Sequence, residues 1–178
     1  MRALSADRAA TDDWAGYNGR TTIVIRVVDG DTVHIDIPDR DDSKTKVRLL
    51  GIDAPEMAGA DKPAMYYARE ATDFLKRLVG GKEVRVYLDE RAGSRDKYGR
   101  LLAYIELLDG RFANEALISE GYAYADRRFP HGYSQKYLHL ESTARSQHVG
   151  LWAHVTEDQL PSWLQEREPT LLRQRSNR

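Results

Sequence analysis

The chain has 178 residues, and its 27 lysines and arginines nearly balance its 28 acidic residues, so the formal net charge is −1. This length is typical of one domain with a substantial core, and the balanced charge excludes nucleic-acid binding through bulk positive charge alone. The absence of cysteine excludes disulfides, zinc–cysteine sites and thiol chemistry, and no apolar run approaches the roughly 18 residues of a membrane-spanning helix.

Five segments have the β-branched or alternating pattern that is typical of strands. In chain order they are residues 21–28, 32–37, 45–52, 82–89 and 100–108. Asp29-Gly30, between the first two, is a hairpin turn signal. The segment 53–56 ends the third strand, because its proline has no N–H to donate to a strand ladder.

Three segments change to helical spacing. They are residues 61–79, with Pro63 in the first turn, 114–119 and 133–148. This order predicts an α+β fold: a five-stranded closed barrel of the OB type, with a helix after strand three and further helices at the C-terminal end.

The chain outside these elements lacks a regular pattern. We expect an N-terminal arm over residues 1–20, a folded domain over 21–153 and a polar extension over 154–178. Within the extension, Trp163-Leu164 is the segment that we expect to form a docked turn.

Four carboxylates follow strand ends. Asp29 and Asp31 flank the first turn, and Asp53 and Glu56 follow the third strand. If that strand runs beside the first hairpin, Asp31 and Asp53 face each other and favour a cation between them. An all-oxygen site favours Ca²⁺ or Mg²⁺. Acidic residues are also common in turns for purely structural reasons, which is the alternative.

Two arginines bear on the choice between a metal site and purely structural turn residues. Arg48 is the charged residue in an otherwise apolar strand segment, and arginine is rarely buried without a partner. Arg100 begins the fifth strand after a basic loop at 91–99. Guanidinium groups beside an acidic metal site suit the stabilisation of a phosphodiester as charge develops on its oxygens. For either arginine taken alone, a surface ion pair is the more common explanation.

Several motifs, taken in order, resemble the staphylococcal nuclease (thermonuclease-like) family. They are VVDGDTV at 27–33, VRLLGIDAPE at 47–56, DKYGRLLAY at 96–104, NEALISEGYA at 114–123 and LWA at 151–153. The resemblance covers roughly residues 21–153. It implies an OB-fold barrel and a Ca²⁺-dependent nuclease that acts on DNA and RNA and leaves 3′-phosphate and 5′-hydroxyl ends.

The resemblance also implies ligands for the calcium ion. Asp31 and Asp53 would be its carboxylate ligands, and the backbone carbonyl of Ala54 would be a third. Asp29 would reach the ion through a water molecule. Many family members have threonine where this chain has Ala54; a backbone ligand survives that change.

Catalytic and substrate-binding roles follow from the same resemblance. Glu56 would be the general base that activates a metal-associated water, and Arg48 and Arg100 would hold the phosphate. Lys97 and Tyr98 match positions that contact a terminal phosphate of bound nucleotide. The family's pair of base-flanking tyrosines is not reproduced. Arg127 and Phe129 fall near those positions and offer stacking or phosphate contacts in their place.

Calcium chemistry bears on location. Two protein carboxylates predict weak binding, in the range of about 10⁻⁴–10⁻³ M that is typical of extracellular modules. We therefore expect an extracytoplasmic or secreted enzyme, although the first 14 residues lack the apolar stretch of a signal peptide. DNA and RNA are the expected partners; we expect no membrane association, no protein partner and a monomer.

Two other functions fit a barrel of this kind. One is a module that binds nucleic acid or protein without cutting, and the other is a structural barrel that uses calcium only for stability. Retention of all five acidic and guanidinium site residues favours an enzyme. They are Asp31, Arg48, Asp53, Glu56 and Arg100.

Overall fold

The computed structural model describes residues 12–171. Its strands are β1 (Arg20–Val27), β2 (Thr32–Ile35), β3 (Thr45–Leu49), β4 (Ile52–Asp53), β5 (Glu83–Tyr87), β6 (Leu101–Leu107) and β7 (Tyr124–Ala125). Its helices are α1 (residues 12–17), α2 (Ala68–Val79), α3 (Ala113–Ser119), α4 (Ser134–Ser146) and α5 (Ser162–Arg167), with 3₁₀ turns at Gly150–Ala153 and Glu157–Gln159.

Five strands close into a barrel in the order β1-β2-β3-β6-β5, which confirms the predicted fold. The ring closes through antiparallel pairing of β1 with β5. β3 and β6 run parallel, whereas the other neighbours are antiparallel. Closure leaves no free edge in this sheet. No helix within residues 12–171 is long and apolar enough to cross a bilayer.

The third predicted strand, 45–52, is divided in two. β3 ends at Leu49, and Gly51 takes a left-handed φ of 76° that glycine adopts without strain. The chain then enters β4, which pairs with β7 outside the barrel, with Asp53 opposite Tyr124. This small second sheet was not predicted from the sequence, and it fixes the backbone of Asp53.

The first long helix is shorter than predicted. Residues 61–67 are not helical, and α2 begins at Ala68 after Tyr67, which has a φ of 69°. The prediction that Pro63 opens the helix is therefore wrong. The apolar spacing that motivated the prediction lies in the helix proper, where α2 buries one face of small and aliphatic residues against the barrel: Ala68, Ala71, Thr72, Leu75 and Val79.

Both ends of the described chain are docked onto the domain. In α1, Asp13 forms an ion pair with Arg95 at 2.7 Å, and Tyr17 is buried in the main core. Residues 1–11 of the predicted arm lie outside the described residues, and residue 20 already belongs to β1. In the extension, Leu164 is fully buried in a second cluster with Trp152, so the predicted docked turn is a short helix, α5.

Candidate active site

The turn between β1 and β2 holds two aspartates beside the end of β3. The carboxylate of Asp29 accepts a hydrogen bond from the backbone N–H of Asp31 at 3.1 Å, which fixes the turn. The backbone N–H of Leu49 donates to the carbonyl of Asp31 at 2.8 Å. Asp31 is buried and lies against the strand that carries Arg48.

The guanidinium of Arg48 bridges the carboxylates of Asp31 and Asp53. One terminal nitrogen pairs with Oδ2 of Asp31, and the other donates to Oδ1 of Asp53 at 2.8 Å. The Arg48 side chain is only 12% exposed, so water screens these charges weakly. The structure thus brings together the two carboxylates that the sequence places at separate strand ends.

Desolvation disfavours the ionised form of both carboxylates at this cluster. Burial raises the pKa of Asp31 to about 6; the attraction of Arg48 opposes this rise, and repulsion from Asp29 adds to it. Burial also raises the pKa of Asp53, again against the attraction of Arg48. An additional cation would stabilise both ionised carboxylates.

The donor atoms suit a hard cation such as calcium. Asp31 and Asp53 offer carboxylate oxygens and Ala54 a backbone carbonyl, and the backbone N–H of Ala54 donates to Oδ2 of Asp31 at 2.8 Å. Within residues 12–171, no three His, Asp or Glu side chains are already arranged as a metal site. The suitability of these residues for calcium therefore rests on the chemistry of the donor atoms and on the raised pKa of Asp31.

Arg100 reaches the same cluster through Thr32. Its Nε donates to Asp96 at 2.7 Å, and its Nη1 donates to the hydroxyl of Thr32 at 3.3 Å. That hydroxyl donates in turn to Oδ1 of Asp31 at 3.0 Å. Thr32 was not singled out from the sequence, because a threonine at the start of a strand has no distinguishing local pattern.

Glu56 lies at the exposed side of the cluster. Partial desolvation and repulsion from Asp31 raise the pKa of Glu56, while attraction to Arg48 opposes the rise. Arg100 also acts on this carboxylate, so Glu56 shares one electrostatic environment with both arginines. A raised pKa makes a carboxylate a stronger base while it is ionised.

Lys97 and Tyr98 extend the site along the loop before β6. The ammonium of Lys97 lies 4.9 Å from the centre of the Tyr98 ring, and the Arg100 guanidinium lies 5.6 Å from it. Tyr98 is 72% exposed. A cationic, aromatic surface therefore adjoins Arg100.

Arg127 and Phe129 have different environments. The guanidinium of Arg127 is bonded to Glu141 at 2.6 Å and to Glu168 in the extension. These two carboxylates already compensate its charge, so the stacking or phosphate contact expected of Arg127 would require it to leave them. Phe129 is 62% exposed and its ring is available.

Two side chains at the site were not predicted. Arg128 forms an ion pair with Oδ1 of Asp53 at 2.9 Å, and the indole N–H of Trp163 donates to Oδ2 of Asp53 at 2.8 Å. The guanidinium of Arg128 lies 4.8 Å from the centre of a Trp163 ring. The sequence signals for these contacts are weak: an arginine pair at 127–128 and a tryptophan in a polar tail.

Comparisons with known proteins agree with this geometry. A family model described as staphylococcal nuclease homologue matches residues 46–154. The chain is 36% identical over 138 residues to a thermonuclease of Staphylococcus hyicus, covering 77% of this chain and 78% of that protein. It is 34% identical over 151 residues to an uncharacterized endonuclease of Escherichia coli O157:H7, covering 84% and 85% of the two chains.

The barrel and these similarities define a hydrolase of the nuclease class. More specifically, the chain belongs to the staphylococcal nuclease family. The resemblance inferred from the motifs is thereby confirmed.

Proposed function

We propose that this nuclease is calcium-dependent and hydrolyses phosphodiester bonds of DNA and RNA, leaving 3′-phosphate and 5′-hydroxyl ends. The observation that carries the proposal is the Asp31–Arg48–Asp53 cluster, in which two carboxylates meet at one guanidinium and burial raises the pKa of Asp31. Asp31, Asp53 and the carbonyl of Ala54 would hold the ion directly, and Asp29 through water.

Each catalytic side chain has a separate task. Bound calcium would polarise a non-bridging phosphate oxygen and keep water close to the phosphorus. Glu56 accepts a proton from the attacking water as the new oxygen–phosphorus bond forms, and the bond from phosphorus to the 5′ oxygen breaks. The 3′ side keeps the phosphate, and the departing 5′ oxygen takes up a proton from water to become the 5′-hydroxyl. Glu56 then returns its proton to solvent.

The two arginines stabilise the charge that grows on the phosphate oxygens. Arg48 is paired with Asp31 and Asp53, and its guanidinium would be released toward the phosphate when these carboxylates hold calcium. Arg100 is held beside the cluster by Asp96 and Thr32. Pre-positioned donors stabilise the transition state more than the diester, because negative charge increases there.

Substrate contacts outside the reacting phosphate are proposed from exposure and charge. Lys97 and Tyr98 would contact a neighbouring phosphate, since they adjoin Arg100. Phe129 would stack on a base, because its ring is exposed next to Arg128.

The proposed calcium site bears on where the enzyme works. A site with two direct carboxylate ligands binds calcium at about 10⁻⁴–10⁻³ M, a range that suits an extracytoplasmic setting. We propose such a location, and a monomeric enzyme.

A nicking assay tests the proposed function. The full chain is incubated with supercoiled plasmid and with single-stranded RNA, in calcium and then in excess chelator. We expect cleavage in calcium, none in chelator, and products that polynucleotide kinase labels at the 5′ end without prior phosphatase. Binding without cleavage would instead identify a binding module, and a calcium-dependent rise in Tm with neither would identify a structural calcium site.

A further inference from the structure

We propose that Trp163, in the C-terminal extension, is a positioning residue for Asp53 and so sets the calcium affinity of the active site. The inference rests on the proposed function, because it takes Asp53 as a calcium ligand. Its basis is the 2.8 Å hydrogen bond from the indole N–H of Trp163 to Oδ2 of Asp53. The two residues are 110 positions apart in the chain.

Both oxygens of Asp53 have fixed partners. Oδ1 accepts a hydrogen bond from Arg48 at 2.8 Å and forms an ion pair with Arg128 at 2.9 Å, and Oδ2 accepts a hydrogen bond from Trp163. Arg128 is itself held by two bonds to Asp126, each 2.9 Å long. The carboxylate plane of Asp53 is therefore set by three donors, one of which comes from the extension.

Trp163 is held in place independently of Asp53. Leu164, the next residue, is fully buried in the second core cluster. Glu168, one turn beyond, pairs with Arg127, and Arg167 donates to the carbonyl of Arg127 at 3.0 Å. Leu160, on the other side of Trp163 in the chain, is buried in the same cluster. Because the chain is anchored on both sides of Trp163, the indole restrains Asp53 rather than merely following it.

Loss of the indole N–H would leave Oδ2 without its donor and allow the carboxylate to rotate. Partners that orient a metal ligand typically contribute 10- to 100-fold in metal affinity. We expect W163F, which keeps an aromatic ring and removes the donor, to weaken calcium binding about tenfold. The reacting groups Glu56, Arg48 and Arg100 remain, so kcat at saturating calcium should stay within about twofold of the wild-type value.

The experiment compares W163F with W14F in the full chain. Trp14 lies in α1 and is 36% exposed, so W14F changes the same residue type away from the site. Calcium affinity is measured without substrate, as the midpoint of calcium binding in equilibrium dialysis, and in parallel as the calcium concentration that gives half-maximal nicking. We expect both midpoints to rise about tenfold in W163F and to be unchanged in W14F.

The possible outcomes separate positioning from other roles. Unchanged midpoints in W163F overturn the inference while leaving the nuclease function intact, as do tighter calcium binding or a loss of kcat that calcium does not restore. A wild-type protein that neither binds calcium nor cuts overturns the proposed function itself. As a second test, calcium should change the tryptophan fluorescence of the wild type and of W14F alike; a response that disappears in W14F contradicts the inference.

Discussion

Gly30, in the turn between β1 and β2, packs directly against Ala54 of the candidate site. A Cβ atom at Gly30 would lie 2.6 Å from the Cβ of Ala54 and 3.0 Å from that of Ala71 in α2. The φ of Gly30 is outside the left-handed region, so packing, not backbone conformation, requires a glycine here. Through this contact, the turn that carries Asp29 and Asp31 packs closely against Ala54, the residue that follows β4.

The Gly30 contact predicts the effect of adding one methyl group. G30A should lower the free energy of unfolding by about 1–3 kcal/mol, because a methyl must be forced into a packed site. It should also weaken calcium binding, since the turn that carries Asp31 moves away from Ala54. The measurement is urea denaturation in chelator, with the calcium-dependent rise in Tm recorded separately.

Gly59 provides the control for this substitution. A Cβ at Gly59 meets nothing within 4 Å, so G59A should change stability by no more than about 0.5 kcal/mol. Equal effects of G30A and G59A would show that the close approach of the turn has no energetic role.

The elements that could be predicted from the sequence depend on local pattern. The alternation of apolar and polar residues predicted the strands of the barrel. The turn residues at strand ends predicted that Asp31 and Asp53 lie close together, because a hairpin and its neighbouring strand end at the same rim of the barrel. Contacts without a local signature were missed. The pairing of Asp53 with Tyr124 across β4 and β7 and the bond from Trp163 to Asp53 both join distant segments.

Arg127 shows a second reason for a difference between sequence and structure. Its position near the family's base-flanking tyrosines suggested stacking or a phosphate contact, but the buried carboxylate of Glu141 requires a cationic partner, and Arg127 supplies it. Glu141 also accepts the backbone N–H of Ala125 at 3.0 Å. A buried glutamate in the middle of a helix gives no sequence signal of where its partner lies.

Removal of the proposed general base should separate catalysis from binding. E56Q keeps the size and shape of the side chain but accepts no proton, so we expect kcat to fall by about 10²–10⁴-fold. Calcium-dependent binding of a mononucleotide should persist. Single-turnover cleavage and equilibrium dialysis measure the two effects.

Glu70 is a suitable control for the general-base substitution, because it is an exposed carboxylate in the first turn of α2. E70Q should cut at the wild-type rate. Wild-type turnover in E56Q would assign the proton transfer to another group.

Truncation of Arg100 should impair cleavage without unfolding the protein. R100A removes a pre-positioned donor, and we expect kcat to fall by about 10²–10³-fold. The fold should persist, because the Arg100 backbone N–H keeps its 3.0 Å bond to Asp96. R100K should recover little activity, since an ammonium does not reproduce the planar fork of donors.

The matched control for R100A is R111A, which removes an exposed arginine from a surface ion pair with Asp109. Cleavage and Tm are measured for each variant. Similar kinetics in R100A, R111A and the wild type would exclude Arg100 from the site.

His131 should make the stability of the fold depend on pH. It is buried, with Nδ1 3.0 Å from the hydroxyl of Tyr104. Burial lowers the pKa of His131, although Asp89 and Asp126 partly oppose the shift. The unfolded chain, with a histidine pKa of about 6.5, therefore binds a proton at pH values where the folded protein does not.

The sign of the His131 contribution follows from this difference in proton uptake. Its stabilising effect is fully present above pH 6.5 and decreases as the pH falls below that value, with a slope of at most about 1.4 kcal/mol per pH unit. Asp31, whose raised pKa is about 6, acts in the opposite direction over the same range. The difference between the wild type and H131Q isolates the histidine, because Asp31 is common to both.

The measurement is urea denaturation from pH 7.5 to 5 in chelator. The free energy of unfolding should fall less toward pH 5 in H131Q than in the wild type, whereas H139Q, at an exposed histidine, should follow the wild type. Parallel plots of unfolding free energy against pH for the wild type and H131Q would mean that His131 has the same pKa in the folded and the unfolded protein.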